Sequence, residues 1–203
     1  MDQTLTFVRE NFEAVALLVS VVLGFLGSFV AHISSARRQK ADARLKHVSD
    51  QVEKLYGPLY SLTEANTASW QAFRKSFRPD EPFISEENPF TEREKVIWRA
   101  WAENVFIPSN LKIRNVIESN AHLFIEGEMP DCFRLMLAHV ESSKIVLPAL
   151  AENDLKILDG FDSWPSEFND FVEQRYRAMA QEYARLLGRR RGLSPLRKRV
   201  AKP

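Results

Sequence analysis

The stretch "EAVALLVSVVLGFLGSFVAHISSARRQK", Glu13 to Lys40, decides the reading of the whole chain. From Ala14 to Ala36 it carries no charged side chain over 23 residues. At about 1.5 Å per residue a helix of that length covers ~34 Å, enough for a hydrocarbon core of ~30 Å. A core helix of a soluble domain would show a polar stripe. Here only Ser20, Ser28, His32, Ser34 and Ser35 interrupt the apolar run, and the last three sit at its far end. A cleaved signal peptide needs a basic leader, a shorter apolar stretch and a small-x-small site before an export-tolerant segment. The leader "MDQTLTFVRENFE" has one Arg against three acids, and Ser34-Ser35-Ala36 is followed at once by Arg37 and Arg38. The expectation is therefore one uncleaved transmembrane helix over 14–36, with an extracytoplasmic N-terminus over 1–13.

The flanks give its direction. Arg37, Arg38, Lys40, Arg44 and Lys46 follow the span against Asp42 alone, whereas Arg9 is the one basic residue before it. Basic flanks stay on the cytoplasmic side, so the N-terminus is expected outside and the rest of the chain in the cytoplasm of a cell with its anchor in the inner (plasma) membrane. A single cysteine, Cys132, offers no disulfide framework, as a reducing compartment predicts.

The remaining residues suffice for one domain with a real core. Fourteen Phe, four Trp and four Tyr make that core aromatic, and only seven Gly in the chain leave little room for tight hairpins, so the expected class is all-α. The formal net charge of +1 conceals a pattern. Between His47 and Gly188 there are 15 Lys and Arg against 23 Asp and Glu, a net of −8. The tail from Arg189 to Pro203 carries seven basic residues and no acid. An acidic body lies between two basic ends, and an anionic membrane surface attracts the ends and repels the body.

Beyond the span, Ala41, Leu45, Val48, Val52 and Leu55 recur at a 4-3-4-3 spacing, the seam of an amphipathic or coiled-coil helix over 37–57. "YGPLY" predicts a break or kink, because Pro58 lacks an N–H and biases Gly57 away from the helical region. A cytoplasmic helical bundle over 58–188 follows. Leu59, Leu62, Asn66, Trp70, Phe73 and Phe77 share one helix face, which ends at the Pro-rich acidic loop "RPDEPFISEENPF". Thr91-Glu92-Arg93-Glu94 is a capping box. Its helix, with Ile97, Trp98, Trp101 and Val105 inward, is expected to stop at Pro108, and Ser109 or Asn110 to cap another containing Leu111, Val116 and Ile117. "EGEMPD" reads as a turn before a helix carrying Phe133, Met136, Leu137 and Val140, and Pro148 limits its successor. The last helix follows Pro165, uses Phe168, Val172, Tyr176, Met179, Tyr183 and Leu186, and is expected to end at Gly188, before a disordered basic tail over 189–203.

Within the span, Ala16, Ser20, Gly24 and Ser28 recur every four residues. Small residues at that spacing let two helices approach closely in lipid, where packing drives association. They are the candidate helix–helix contact, against the alternative that Gly and Ala are simply common in spans. Arg37, Arg38, Lys40, Arg189, Arg190, Arg191, Arg197, Lys198, Arg199 and Lys202 are the candidate contacts to anionic lipid, against a plain solvated end. The tail lacks interleaved aromatics and the body is acidic, which argues against nucleic acid.

Chemistry is hard to find. His122, His139, Glu126, Glu128, Asp131, Glu141 and Cys132 form no metal-ligand or hydrolase pattern; His139 and Glu141 make an H-x-E with no C-x-x-C after it. Cys132, between Asp131 and Phe133, has no neighbouring positive charge to activate it. Trp98 and Trp101, three apart on a helix, read as core. No catalytic residue, cofactor or metal is expected.

At "EKLYGPLY", Trp70, "WRAWAENVFIPSN" and from "IESNAHLF" through "MPDCFRLMLAHV", over roughly residues 53 to 150, the chain resembles a set of uncharacterised bacterial single-span membrane proteins with a helical cytoplasmic domain. The resemblance implies a bacterial inner membrane and brings no activity with it. The sequence thus predicts a non-enzymatic scaffold or interaction module. It forms a homo-oligomer through its span and presents an acidic domain to an unidentified cytoplasmic protein. A reading of another class is a membrane effector, of toxin or phage-defence type, that assembles in the bilayer and perturbs it. An enzyme acting on a membrane-associated substrate would need convergent His and carboxylates, which the sequence does not display.

Overall fold

A computed structural model describes residues 2–80, 83, 88–124, 127–151, 156–157 and 164–192. The chain divides into two compact units, Met1–Lys46 and His47–Pro203. Among the described residues there is no strand, and the chain is all-helical. The order is α1 (Asp2–Asp50), a first π-turn (Gln51–Tyr56), α2 (Gly57–Ser76), α3 (Glu92–Trp101), a second π-turn (Ala102–Phe106), α4 (Ile107–Ser119), a 3₁₀ turn (Ala121–Leu123), α5 (Asp131–Ala151) and α6 (Ser166–Gly192).

The first unit is α1 without its last turn. Its apolar side chains are uncovered: Leu17, Phe25 and Val30 are 70%, 74% and 64% exposed.

The second unit has two cores. The larger gathers Leu55, Tyr56 and Leu59 with Ile113 and Ile117 of α4, Phe133, Met136 and Val140 of α5, and Phe168 and Val172 of α6. α6 runs antiparallel to α2, since Asn169 Nδ2 donates to Thr67 Oγ1 at 3.3 Å and seven residues further on Tyr176 stacks on Tyr60 at 4.9 Å. The smaller core is aromatic. Phe73 of α2 and Phe77, just past its end, meet Phe83 and Phe90 of the acidic loop, Trp98 and Trp101 of α3, and Phe106. The tryptophans are core, as their spacing predicts. α2 and α4 are joined by one buried amide pair, Asn66 Nδ2 to Asn110 Oδ1 at 3.0 Å.

The capping box forms as read. Glu94 N–H donates to Thr91 Oγ1 at 3.3 Å, and Thr91 N–H donates to Glu94 Oε2 at 2.8 Å. Several expectations do not hold, the cap at Ser109 or Asn110 among them, because α4 already begins at Ile107 and both residues lie inside it. The helical run does not stop at Pro58 or Pro108: a π-turn precedes each, and each proline sits in the first turn of the α-helix that follows, α2 and α4. Gly57 N–H reaches Val52 O and Ile107 N–H reaches Ala102 O, both five residues back, and Gly57 keeps helical angles of φ −66° and ψ −51°. Pro148 lies inside α5, which continues to Ala151. Gly188 does not end α6, which continues through Arg189, Arg190 and Arg191 to Gly192. Of the 4-3-4-3 seam, Val48 (6% exposed) and Leu55 (fully buried) are used within the second unit and Val52 is half-buried there, whereas Ala41 is exposed in the first unit.

Candidate functional site

The strongest functional feature is α1. Among the described residues, the helical run Ala16–Ser76, which begins in α1 and passes through the first π-turn into α2, is long and apolar enough to cross a membrane by length and composition, and its apolar window is entirely uncovered. The physical force behind that statement is transfer free energy. Each Å² of apolar surface left in water costs ~25 cal/mol, so a full turn of Leu, Val and Phe side chains facing water on every side is far from its preferred solvent.

Ala16, Ser20, Gly24 and Ser28 all lie on α1 and are exposed. Successive members are four residues apart, about 400° of helical rotation, so the row drifts by ~40° per step rather than running straight. A partner helix following it would cross α1 at an angle, as small-residue contacts in membranes commonly do. A Cβ built on Gly24 meets nothing within 4 Å, so the surface beside it is uncovered. The Ser20 hydroxyl donates to Ala16 O at 2.8 Å, which satisfies that donor inside its own helix.

Arg37, Arg38 and Lys40 are exposed on α1. Arg189, Arg190 and Arg191 lie on the last turns of α6, whereas Arg197, Lys198, Arg199 and Lys202 fall outside the described residues.

The chemical candidates separate. His122 is exposed, and His139 is buried with its ring edge-on to Trp164 at 5.7 Å. Glu126 lies outside the described residues. Glu141 pairs with Arg114 and Lys144, each at 2.6 Å, which lowers its pKa. Asp131 pairs with Arg134. Cys132 is buried, and desolvation pushes its thiol up, away from the reactive thiolate. Among the described residues no three His, Cys, Asp or Glu side chains group to hold a metal ion.

Sequence reasoning missed the device that closes the acidic loop. The Arg78 guanidinium holds Glu94 through Nε at 2.7 Å and Nη2 at 2.9 Å, and donates to Asn88 O at 2.7 Å and Pro89 O at 2.8 Å. Its plane lies 5.1 Å from the centre of the Phe90 ring. The Arg78 guanidinium and the Thr91 N–H together hold the Glu94 carboxyl down at about 2. Nothing in the spacing of Arg78 and Glu94, sixteen residues apart across a Pro-rich loop, announces this clamp. It missed Gln51 too, whose buried Nε2 donates to Leu123 O at 2.8 Å.

No protein-family model, no curated protein and no solved structure matches the chain.

Proposed function

We propose that this chain is a membrane-anchored helical interaction module of a bacterial inner membrane. Residues 14–36 cross the bilayer once with the N-terminus outside, copies pair through Ala16, Ser20, Gly24 and Ser28, and the domain after the span is offered to a cytoplasmic protein. The observation that carries the reading is the fully uncovered apolar run of α1. The Lys and Arg excess after the span supports the direction, and the small residues recurring every four positions support pairing. Buried, inert Cys132 and the scattered carboxylates fit a binding role better than a catalytic one.

Topology is tested with reporters fused after residue 203. Alkaline phosphatase there is expected to be inactive and a fluorescent protein bright; active phosphatase reverses the assignment. Pairing is tested in a transmembrane self-association assay. Gly24→Ile, which puts a branched side chain on the small-residue row, is expected to weaken the signal, and Val22→Ile to leave it unchanged. Equal signals from both leave α1 as an anchor alone.

A further inference from the structure

The first π-turn holds one of two competing helical registers. Stepping back from buried Leu59 by 3.6 residues per turn, an unbroken α-helix would direct positions near 55, 52 and 48 toward the core. That is the apolar seam Leu55, Val52 and Val48. In the structure the turn places Gln51 inward instead, 2% exposed, and leaves Val52 half-buried. Leu55 and Val48 are buried in the π register. At the turn itself the two registers exchange Gln51 for Val52 at the core. The π form buries a glutamine amide satisfied by Leu123 O; the α form would bury a valine and leave that carbonyl without its donor. A hydrogen-bonded amide against an apolar side chain is a close contest.

Gly57 sits at the pivot. A Cβ there would fall 2.4 Å from Val52 O, the carbonyl that Gly57 N–H bonds in the π form. The second π-turn tolerates an isoleucine, Ile107, at the equivalent place. The constraint at Gly57 is therefore particular to the first turn and not a general requirement of π geometry.

We infer that Gln51–Gly57 is a register switch, in which the helix slips between π and α by one residue. The slip turns residues 47–50, the end of α1, by about 100° and shifts them ~1.5 Å along the axis. A twist applied through α1 would be registered at Gln51 as loss of its bond to Leu123 O, at the turn that leads toward α5. This goes beyond the proposed function, for it concerns a conformational change within the second unit and needs no particular partner. Helical discontinuities of this kind recur at functional sites.

The test uses the full chain in lipid nanodiscs, with Cys132→Ala and nitroxide labels at His47→Cys and Gln181→Cys. Both positions are exposed and belong to the second unit. A helix ~10–12 Å across moves a side-chain tip by up to about 8 Å on turning 100°. The wild-type turn is expected to give one main distance. Gly57→Ala disfavours the π form through its backbone, and Gln51→Glu disfavours it by burying a carboxylate that cannot donate to Leu123 O. A second, displaced distance in either variant, with helicity retained, supports the switch. An unchanged single distance in both, or loss of the folded domain in both with no second distance, overturns it.

Discussion

At the scale of single residues, Arg78 does the most with the least warning. It is one of the few charged side chains taken out of water, 6% exposed, and it sits at φ 48°, a left-handed conformation that non-glycine residues seldom adopt. The clamp on Glu94 and the two loop carbonyls holds it there. Removing one partner leaves a buried charge or unpaired carbonyls, so Arg78→Met or Glu94→Gln is expected to destabilise the domain by about 1–3 kcal/mol. Chemical denaturation of the purified protein measures this. The same pair sets a pH dependence. Glu94 titrates lower in the folded domain, at about 2, than its ordinary 4.5. Its contribution is present above about 4.5 and is lost as pH falls from there toward 2. A melting temperature followed across that window should drop less steeply in Glu94→Gln than in wild type; identical slopes would remove Glu94 as a source of acid sensitivity.

At the scale of elements, the question is what pairs α2 with α4 in one register. Most of their contact is apolar and tolerates sliding. The buried Asn66–Asn110 bond does not, since each amide needs the other. Asn66→Ala alone is expected to cost about 1–3 kcal/mol by stranding the Asn110 carbonyl, whereas Asn66→Leu with Asn110→Leu should recover much of the loss. Additive losses in the double variant would show that the two amides act independently. The spacing of Asn66 with Leu59 and Phe73 puts it on the core face; its partner cannot be read that way, because a contact 44 residues away has no periodicity to betray it. The same limit explains the rest of what could and could not be read. Local signals were legible: the Thr91–Glu94 box, the aromatic face of α2, the Phe168–Val172 face of α6. Pro58 and Pro108 misled, because a helical run can pass through a π-turn and take its proline in the first turn of the next helix rather than end. Gly57 looked like punctuation and is instead the residue that lets the widened turn close. Gly188 looked like a cap, yet the arginines after it are good helix formers and carry α6 on to Gly192. The candidate site divides in the same way. The apolar run of α1 is plain in one dimension, whereas the Arg78 clamp and the Gln51–Leu123 bond exist only once the chain has folded.

At the scale of the whole molecule, charge decides how the second unit behaves beside an anionic surface. Residues 47–188 carry −8 and residues 189–203 carry seven Lys and Arg. Each basic residue close to an anionic leaflet gains ~1 kcal/mol, so the tail could supply several kcal/mol of attraction, less whatever the acidic body loses. Screening confines that repulsion to ~8 Å at physiological salt. The balance therefore depends on which end of the body the basic residues leave from. α6 is antiparallel to α2 and ends beyond Tyr176, which lies against Gly57, so Arg189–Arg191 emerge from the domain on the side opposite Asn169 and Thr67. A fragment from His47 to Pro203 and its counterpart with the seven tail residues changed to Gln keep the same length and the same α6. Floated with vesicles of rising phosphatidylserine content, the first is expected to bind increasingly and the second to stay in solution. The binding should fall steeply between low and high salt, because it is electrostatic. Equal recovery of the two fragments, or binding indifferent to salt, would assign the tail to a protein partner or to solvent.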